Sequence, residues 1–180
     1  MIQIVRIPSE RVGALVGKSG ETKARLEKLA RVKISIDSEE GDVEIDYTHA
    51  KDPSVALAVV NVVTAIGRGF SPEKAFKLLD DDYQLDILDI RDYVGKKQEH
   101  VMRMRSRLIG TRGKTREVFE ELTGAFISIY GNTVSIIGNG LQVEVAEKGM
   151  DMLLSGSEHA AVYHYLEGRR AQIKVDGMGF

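Results

Sequence analysis

The sequence predicts an α+β fold built from two copies of one small domain, each a three-stranded antiparallel sheet packed on helices. Residues 15–36 and 108–129 align without a gap at an offset of 93, and nine of the 22 pairs are identical. Both copies carry a Gly-x-x-Gly tetrapeptide after a helical segment. In both, two segments of alternating apolar residues follow, which is the pattern of adjacent strands. Two copies at so long a period indicate a duplicated domain rather than a solenoid.

The first domain is predicted to span residues 1–69. Alternation and β-branching predict its strands, and apolar residues three and four apart predict its helices. Pro8 ends the first strand, Asp52-Pro53 begins the last helix, and Gly67 ends it. The predicted elements are a strand at 2–7, a short helix at 10–16, a helix at 21–32, strands at 33–37 and 42–47, and a helix at 53–67.

A connector at residues 70–84, with a helix that begins at Ser71-Pro72, leads to a second domain predicted at 85–170. Nineteen residues separate Ile90 from Gly110, against nine between Ile7 and Gly17, so the first helix should be longer here. We expect Val101, Met104 and Leu108 on the buried face of this helix. The other predicted elements are a strand at 85–90, a helix at 115–122, strands at 125–130 and 133–137, and a helix at 140–154. One more helix, at 157–170, has no expected counterpart in the first copy, and a tail at 171–180 includes a short strand at 171–175.

The composition excludes several classes of site. No cysteine is present, which rules out disulfides, thiolate zinc sites and cysteine nucleophiles. The four histidines are scattered, and we expect them to be surface or packing residues. The acidic run Asp80–Asp82 is interpreted as a solvated helix end rather than a metal site. No apolar run approaches the roughly 20 residues of a membrane span, and the N-terminus lacks a signal-peptide pattern. We therefore expect a cytoplasmic protein with no membrane partner, no metal and no cofactor.

The net charge of −2 hides a strong asymmetry along the chain. Residues 37–92 hold 14 acidic against 5 basic residues, whereas residues 91–116 hold 9 basic against 2 acidic ones. The basic stretch ends on the second Gly-x-x-Gly, which is where a polyanion would be expected to sit. A solvated helix face is the alternative interpretation of the same charges.

The Gly-x-x-Gly itself favours a binding role. Two glycines three apart allow the backbone to turn sharply and to approach a ligand closely, and the amides that begin the next helix favour anions.

The stretch Gly13–Ser19 resembles a phosphate-binding loop, but it has three residues where that loop requires four, and no strand–helix alternation predicts a parallel sheet. Motifs of serine hydrolases and zinc proteases are absent. The sequence therefore predicts that the protein is not an enzyme.

This order of elements, with a Gly-x-x-Gly between two helices, resembles the type I K-homology (KH) domain, with the topology βααββα. The resemblance covers nearly the whole chain in two copies and implies that each Gly-x-x-Gly clamps the backbone of about four nucleotides. It also implies that Val16 and Ile109 line the groove beside each loop. The resemblance places four isoleucines of the predicted strands on the strand side of the groove, where they are either groove or core residues: Ile34, Ile36, Ile127 and Ile129.

More narrowly, the chain resembles the partner-of-Nob (Dim-type) family of small-ribosomal-subunit assembly factors in its short archaeal form. The features that carry this are Gly-Lys-Ser-Gly at 17–20, the basic helix before Leu-Ile-Gly-Thr-Arg-Gly-Lys-Thr-Arg at 108–116, and His-Ala-Ala-Val-Tyr-His-Tyr-Leu-Glu at 159–167. The resemblance implies binding near the 3′ end of precursor small-subunit rRNA and contact with the endonuclease that matures it.

The two copies are not expected to be equivalent, because the turn at 38–42 is acidic and its counterpart, Gly131-Asn132, is uncharged. We therefore expect a single-stranded RNA-binding adaptor in ribosome biogenesis that works mainly through its second domain. The alternatives are an accessory protein of translation initiation, partnered by an initiation factor, and a KH-fold protein scaffold with little RNA affinity. The residues predicted to bind RNA are Lys96, Lys97, Arg103, Arg105, Arg107, Ile109, Gly110, Thr111, Arg112, Gly113, Lys114 and Arg116 in the second copy and Gly17, Lys18, Ser19 and Gly20 in the first.

Overall fold

The structure, a computed structural model, describes residues 1–178. These residues divide into two compact units, Met1–Tyr83 and the remainder from Gln84. We refer to them as the first and the second unit. The last two residues of the predicted tail, 179 and 180, lie outside the described residues.

The first unit is a three-stranded antiparallel sheet whose strands lie in the order β1-β3-β2. Central strand β3 pairs with both neighbours, so that Ile45 lies opposite Gln3 on one side and Ile34 on the other. Its elements are β1 (Ile2–Arg6), α1 (Val12–Val16), α2 (Glu21–Ala30), β2 (Lys33–Ile36), β3 (Asp42–Asp46), α3 (Ser54–Gly67) and α4 (Pro72–Ala75), which a 3-10 turn continues over Phe76–Leu79.

One face of this sheet is buried under α1, α2 and α3, and the pattern of apolar residues explains why. Strands β2 and β3 alternate, so Ile34, Val43 and Ile45 face the helices and are buried. Helix α3 is apolar on most of its surface, and Val59, Val62 and Ile66 are inaccessible to solvent.

The second unit repeats this plan, with strands in the order β4-β6-β5. The predicted α+β fold with two three-stranded antiparallel sheets is therefore confirmed. Its elements are β4 (Tyr83–Asp89), α5 (Arg91–Val94), α6 (Gln98–Ile109), α7 (Lys114–Thr123), β5 (Phe126–Tyr130), β6 (Thr133–Asn139), α8 (Gly140–Leu154) and α9 (His159–Gly177).

The extra residues of the second copy form a short helix and a longer one. Helix α6 has 12 residues where α1 has 5. Val101 and Leu108 are buried as expected, while Met104 is half-buried and packs against the same core.

The strand expected at 171–175 is wrong, because α9 continues without a break to Gly177. The alternation of small and polar residues there suggested a strand, but Val175 is 50% exposed and only Ile173 is buried. Val162, Leu166 and Ile173 are four and seven residues apart, so one helical face carries all three into the core.

The turn that precedes α9 has a counterpart in the first unit, before the predicted connector helix. Two residues after the end of α3 and of α8, each chain segment has a glycine with positive φ, Gly69 (φ 98°) and Gly156 (φ 105°). The amide that follows each glycine bonds to a carbonyl five residues back, Phe70 to Ala65 at 3.1 Å and Ser157 to Met152 at 2.9 Å. The chain then enters α4 in the first unit and α9 in the second. The two turns are 87 residues apart rather than 93, because the connections around the third strand are shorter in the second copy.

Within residues 1–178, every helix is too short or too polar to cross a membrane.

Candidate nucleic-acid interface

The two Gly-x-x-Gly loops have the same backbone conformation. Gly17 and Gly110 have φ/ψ of 76°/176° and 77°/171°. The third position is left-handed although it is not glycine, with φ of 54° at Ser19 and 56° at Arg112. Left-handed residues other than glycine are uncommon and cost free energy, so the surrounding structure must impose this shape. The sequence identity between the copies thus corresponds to an identical loop.

The first glycine of each loop is required by a threonine of the following helix. A Cβ on Gly110 would lie 2.7 Å from the backbone nitrogen of Thr115 and against its hydroxyl. Gly17 has the same relation to Thr22, with 2.8 Å to the nitrogen. Both threonines belong to the identical pairs of the repeat. The Gly-to-Thr spacing that the two copies share therefore corresponds to a packed Gly–Thr contact behind the loop.

The second glycine is different, because the space where its side chain would lie is unoccupied. A Cβ on Gly20 or Gly113 would meet nothing within 4 Å, although both residues are left-handed (φ 76° and 75°). The two residues between the glycines are exposed in both loops. A ligand can therefore approach the second half of the loop without displacing any side chain.

A repeated glutamate ties each loop's helix to the neighbouring strand. Glu27 on α2 accepts the amide of Ile34 at 3.0 Å, and Glu120 on α7 accepts that of Ile127 at 3.2 Å. Ile34 and Ile127 are buried and belong to the core, whereas Ile36 and Ile129 are half-buried. Val16 and Ile109, the predicted groove residues next to the loops, are also half-buried.

In the second unit, a recess of about 420 Å³ opens beside the loop. We call it the loop recess. Its charged side chains are those of Arg107 and Lys114, the imidazole of His159 also lines it, and no carboxylate does. The lining residues are Ser106, Arg107, Gly110, Thr111, Lys114, Thr115 and His159.

Arg107, one of the predicted RNA contacts, has its guanidinium engaged by the protein. Its Nη1 donates to the carbonyl of Leu153 at 2.8 Å, and its Nη2 donates to the carbonyl of Ser157. These carbonyls stand on either side of the turn between α8 and α9. Arg11 does the same in the first unit, where Nε and Nη2 donate to the carbonyls of Ile66 (2.8 Å) and Phe70 (2.9 Å). Arg107 thus holds α6 against this turn, with its side chain at the rim of the loop recess.

The other predicted basic residues fall into three groups. Arg112 and Lys114 are exposed at the loop, and Arg103 is exposed on α6. Arg116 is half-buried and turned along its own helix towards Glu120, at 4.0 Å. Lys96 and Lys97 are exposed in the connection between α5 and α6.

A second recess, of about 340 Å³, brings Lys96 and Arg105 together at the other end of α6. It is also lined by Arg91 and by the hairpin turn Gly131-Asn132. Arg105 is half-buried, and its Nε has no hydrogen-bond partner among the described residues. Arg91 is paired with Asp89 at 2.8 Å, and the hydrogen bonds that it donates to the Asp89 carboxylate raise the pKa of Arg91. The basic stretch of the sequence therefore forms two clusters, one at each end of α6.

The corresponding places in the first unit are acidic. The recess between α2 and α4 has a volume of about 330 Å³ and presents Glu21 and Glu73, although Arg25 also lines it and lies over the ring of Phe76 at 5.0 Å. The hairpin turn carries exposed Glu39 and Glu40, whose amides bond to Asp37. A hydrogen bond from Arg6 lowers the pKa of Asp42, which keeps that carboxylate charged. These places in the first unit thus carry carboxylates, whereas their counterparts in the second unit carry none.

Sequence reasoning missed the residues that support the second loop from α9. His159 approaches the carbonyl of Arg107 at 3.0 Å, and the hydroxyl of Tyr163 donates to Thr115 Oγ1 at 3.1 Å. Both residues are more than 40 positions from the loop in the sequence, so no local spacing could indicate the contact. The threonine repeated five residues after each first glycine was the available signal for the Gly–Thr packing.

Comparison with known protein families matches both copies. Residues 84–171 match the profile of the eukaryotic-type KH domain (KH domain type I), and residues 2–55 match that of the KH domain. A KH domain-containing protein from Methanocaldococcus jannaschii is 45% identical over 174 residues, which cover 96% of this chain and 76% of that protein.

Solved structures match over almost the full length. Dim2p from Pyrococcus horikoshii OT3 is 44% identical with a TM-score of 0.87, covering 94% of this chain and 99% of that chain. A chain of the a/eIF2alpha–aDim2p–rRNA complex from the same organism is 43% identical with a TM-score of 0.88, covering 96% and 95%. A protein of unknown function from Aeropyrum pernix is 34% identical with a TM-score of 0.91, covering 99% and 95%.

Proposed function

The chain belongs to the archaeal Dim-type family of RNA-binding proteins with two KH domains, and we propose that it is a non-catalytic adaptor in ribosome biogenesis. In this proposal it binds single-stranded RNA near the 3′ end of the small-subunit rRNA or its precursor, mainly through the second unit. The rRNA in the complex of the Pyrococcus relative supports this choice of ligand.

The observation that carries the proposal is that one loop conformation is adjacent to carboxylates in the first unit and to cations without carboxylates in the second. The second loop has Arg112 in its left-handed position and Lys114 directly after it, beside a recess without carboxylates. The first loop is followed by Glu21, at the position of Lys114. Phosphate contacts supply most of the affinity for nucleic acids, so the second loop is the stronger site.

The chemistry of the loop suits a sugar-phosphate backbone. The open front of Gly113 lets the backbone of the RNA approach the protein main chain, and Arg112 and Lys114 supply charge around it. Half-buried Ile109 offers an apolar surface to a base next to the loop. The sequence has no tryptophan. We therefore propose that backbone clamping and contacts to base edges contribute more than stacking on aromatic side chains.

A charge-reversal experiment on the two loops tests the proposal. The variants are T111D/R112D in the second loop and K18D/S19D in the first. All four residues are exposed, and aspartate tolerates the left-handed conformation better than most residues do, so both variants should fold. Binding of each protein to a short single-stranded RNA with the rRNA 3′ sequence is measured at two salt concentrations.

We expect T111D/R112D to lose at least about tenfold in affinity, since two unfavourable charges replace one phosphate contact. K18D/S19D should lose much less. Equal losses would make both loops RNA sites, and the reverse order would refute the assignment to the second unit. If the wild-type protein binds no RNA at any salt concentration, the protein scaffold becomes the better description.

A second function is favoured by the partner in the relative's complex. That complex contains a/eIF2alpha, so we propose that the chain also binds the α subunit of this translation initiation factor. The acidic surfaces of the first unit are the candidate contact. Titration of the factor into wild-type protein and into E21Q/E73Q tests this, and an unchanged affinity would remove the recess between α2 and α4 from the interface.

The partner-of-Nob resemblance extends the proposal to the endonuclease that matures the rRNA 3′ end. Co-migration of the purified endonuclease with the protein in size-exclusion chromatography, with and without RNA, tests this contact. No co-migration in either condition would remove the endonuclease from the proposed partners.

A further inference from the structure

The loop recess of the second unit is closed on one side by α9, which is not part of the βααββα core. His159, the first residue of this helix, lines the recess together with Thr111 and Lys114. The imidazole is half-buried, so it is held in place but still reaches the open volume. An imidazole side chain therefore lies beside the residues proposed to hold RNA.

The hydrogen bonding of this ring is set by its partner. His159 Nε2 lies 3.0 Å from the carbonyl oxygen of Arg107, which can only accept a hydrogen bond. Nε2 therefore carries a hydrogen in the neutral ring, and a proton gained on acidification goes to Nδ1. The ring meets Tyr163 edge-on, with centroids 6.0 Å apart, which fixes its plane from the other side.

The charged and titratable groups around the ring are few. Helix α6 contributes Arg107, whose guanidinium is held by two carbonyls, and α7 contributes Lys114. Helix α9 contributes Tyr163. Glu158, which precedes α9, is exposed and does not line the recess. The groups that face the recess are thus cationic or neutral. An anion in the recess would therefore be attracted by the cations and would meet no carboxylate.

From this arrangement we infer that the loop recess binds a phosphate group of the RNA and that His159 contacts it as an imidazolium. This inference rests on the proposed function of the second unit and adds to it a residue outside the core domain. Because a bound phosphate stabilises the protonated ring, RNA and proton bind cooperatively. The affinity for RNA should therefore rise as the pH falls from about 8 to about 5.5.

The first unit provides an internal contrast. The residue that follows α3 at the offset of 87 is Pro72, which has neither charge nor donor, and the adjacent recess presents Glu73 and Glu21. A titratable cation at this position is therefore a property of the second copy alone among the described residues. It coincides with the basic loop, as expected if both serve one ligand.

The test measures the RNA affinity of the full chain between pH 8 and pH 5.5 at constant ionic strength, for wild type, H159Q and H164Q. Glutamine at 159 can still donate to the Arg107 carbonyl but cannot gain a proton. His164 lies on the same helix, is exposed and does not line the recess, so H164Q controls for general loss of a histidine. Thermal unfolding of each variant at both pH values shows whether packing has changed.

We expect wild type and H164Q to bind about fivefold more tightly at pH 5.5 than at pH 8, since a charge-assisted hydrogen bond replaces a neutral contact. H159Q should gain little affinity on acidification, whatever its affinity at pH 8. The inference is overturned if H159Q retains the pH response, or if wild type has none while still binding RNA. Absence of RNA binding by wild type at every pH would instead reject the proposed function.

Discussion

At the scale of single residues, the identities retained between the two copies are those that the loop geometry requires. Gly110 and Thr115 are in contact, and the hydroxyl of Tyr163 holds the threonine from behind. The middle residues of the loop are exposed, and they differ between the copies. Backbone shape and one exposed cation are therefore common to the two loops, and the residue that follows each loop, Glu21 or Lys114, is what distinguishes their charge.

The two glycines of the second loop should differ in their tolerance of alanine. Gly110→Ala places a methyl group 2.7 Å from the Thr115 nitrogen at a left-handed φ, so we expect a loss of about 3 kcal/mol in unfolding free energy. Gly113→Ala meets open space and should cost about 1 kcal/mol, from the conformation alone. Chemical denaturation of both variants measures the difference, and equal losses would contradict the Gly–Thr packing.

Substitution of Arg107 should lower stability, whereas substitution of Arg103 should lower RNA affinity. Arg107→Gln removes hydrogen bonds from a charged group to two carbonyls, so the unfolding free energy should fall by about 2 kcal/mol. Arg103 is exposed, and Arg103→Gln should change stability by less than about 0.5 kcal/mol while weakening RNA binding. Denaturation curves and RNA titrations of the two variants provide the comparison. A stable R107Q protein with lost RNA affinity would return Arg107 to the list of direct contacts.

At the scale of secondary-structure elements, the sequence predicted the order, the type and the approximate limits of nearly every helix and strand. Periodicity sufficed because most strands alternate and most helices have a clear apolar face. The end of α9 was mispredicted because residues 171–175 alternate in polarity as a strand does, and only the buried position of Ile173 decides for a helix. The glycines and exposed cations of the site were also predictable, because they are local in sequence.

What the sequence could not provide are the contacts that join distant elements. The carbonyls bound by Arg107 are 46 and 50 residues away, and those bound by Arg11 are 55 and 59 residues away. The two arginines are not aligned in the repeat, since one lies three residues and the other six residues before its glycine. The same structural role is therefore filled from different helical turns, and no comparison of the copies would have found it.

The packing of β4 against α8 contains a carboxyl pair with a pH signature. A hydrogen bond with Asp86, together with burial, raises the pKa of Glu147 to about 7. Asp86 Oδ2 is buried without a hydrogen-bond partner among the described residues, and a protonated Glu147 is a suitable donor to it. The unfolded chain releases this proton near pH 4.5, the ordinary pKa of a glutamate, whereas the folded protein holds it up to about pH 7.

The raised pKa of Glu147 fixes the sign of its effect on stability. Between about pH 4.5 and pH 7 the folded state binds more protons than the unfolded state, so the stability falls as the pH rises. Glu147→Gln should flatten this dependence and stabilise the protein at pH 8 by less than about 1 kcal/mol, because solvent screens an exposed group. Unfolding free energies at pH 5 and pH 8 measure it, with E144Q on the same helix as the control. A steeper dependence in E147Q would contradict the sign.

At the scale of the whole molecule, the duplication has produced two units with one fold and different charges around their loops. The net charges of the two units differ little, and the contrast is local: the first unit has Glu21 after its loop and an acidic turn at 38–42, whereas the second has Lys114 after its loop and an uncharged turn. A polyanion should therefore be attracted more strongly to the second Gly-x-x-Gly loop than to the first. The measurable consequence is that the salt dependence of RNA binding should reflect the second unit.

A pair of charge reversals at equivalent positions tests this division. Glu21 and Lys114 both follow their loop directly and are both exposed, so E21K and K114E exchange the charges of the two units at little cost in stability. K114E should weaken RNA binding about tenfold at 0.1 M salt and reduce the slope of log affinity against log salt concentration by about 0.7, the value for one phosphate contact to a single strand. E21K should change affinity by less than about threefold, because the exposed acidic turn at Glu39 and Glu40 remains. If E21K has the larger effect and steepens the slope, RNA binds at the first loop, and the acidic charges of that unit regulate the binding site instead of excluding RNA from it.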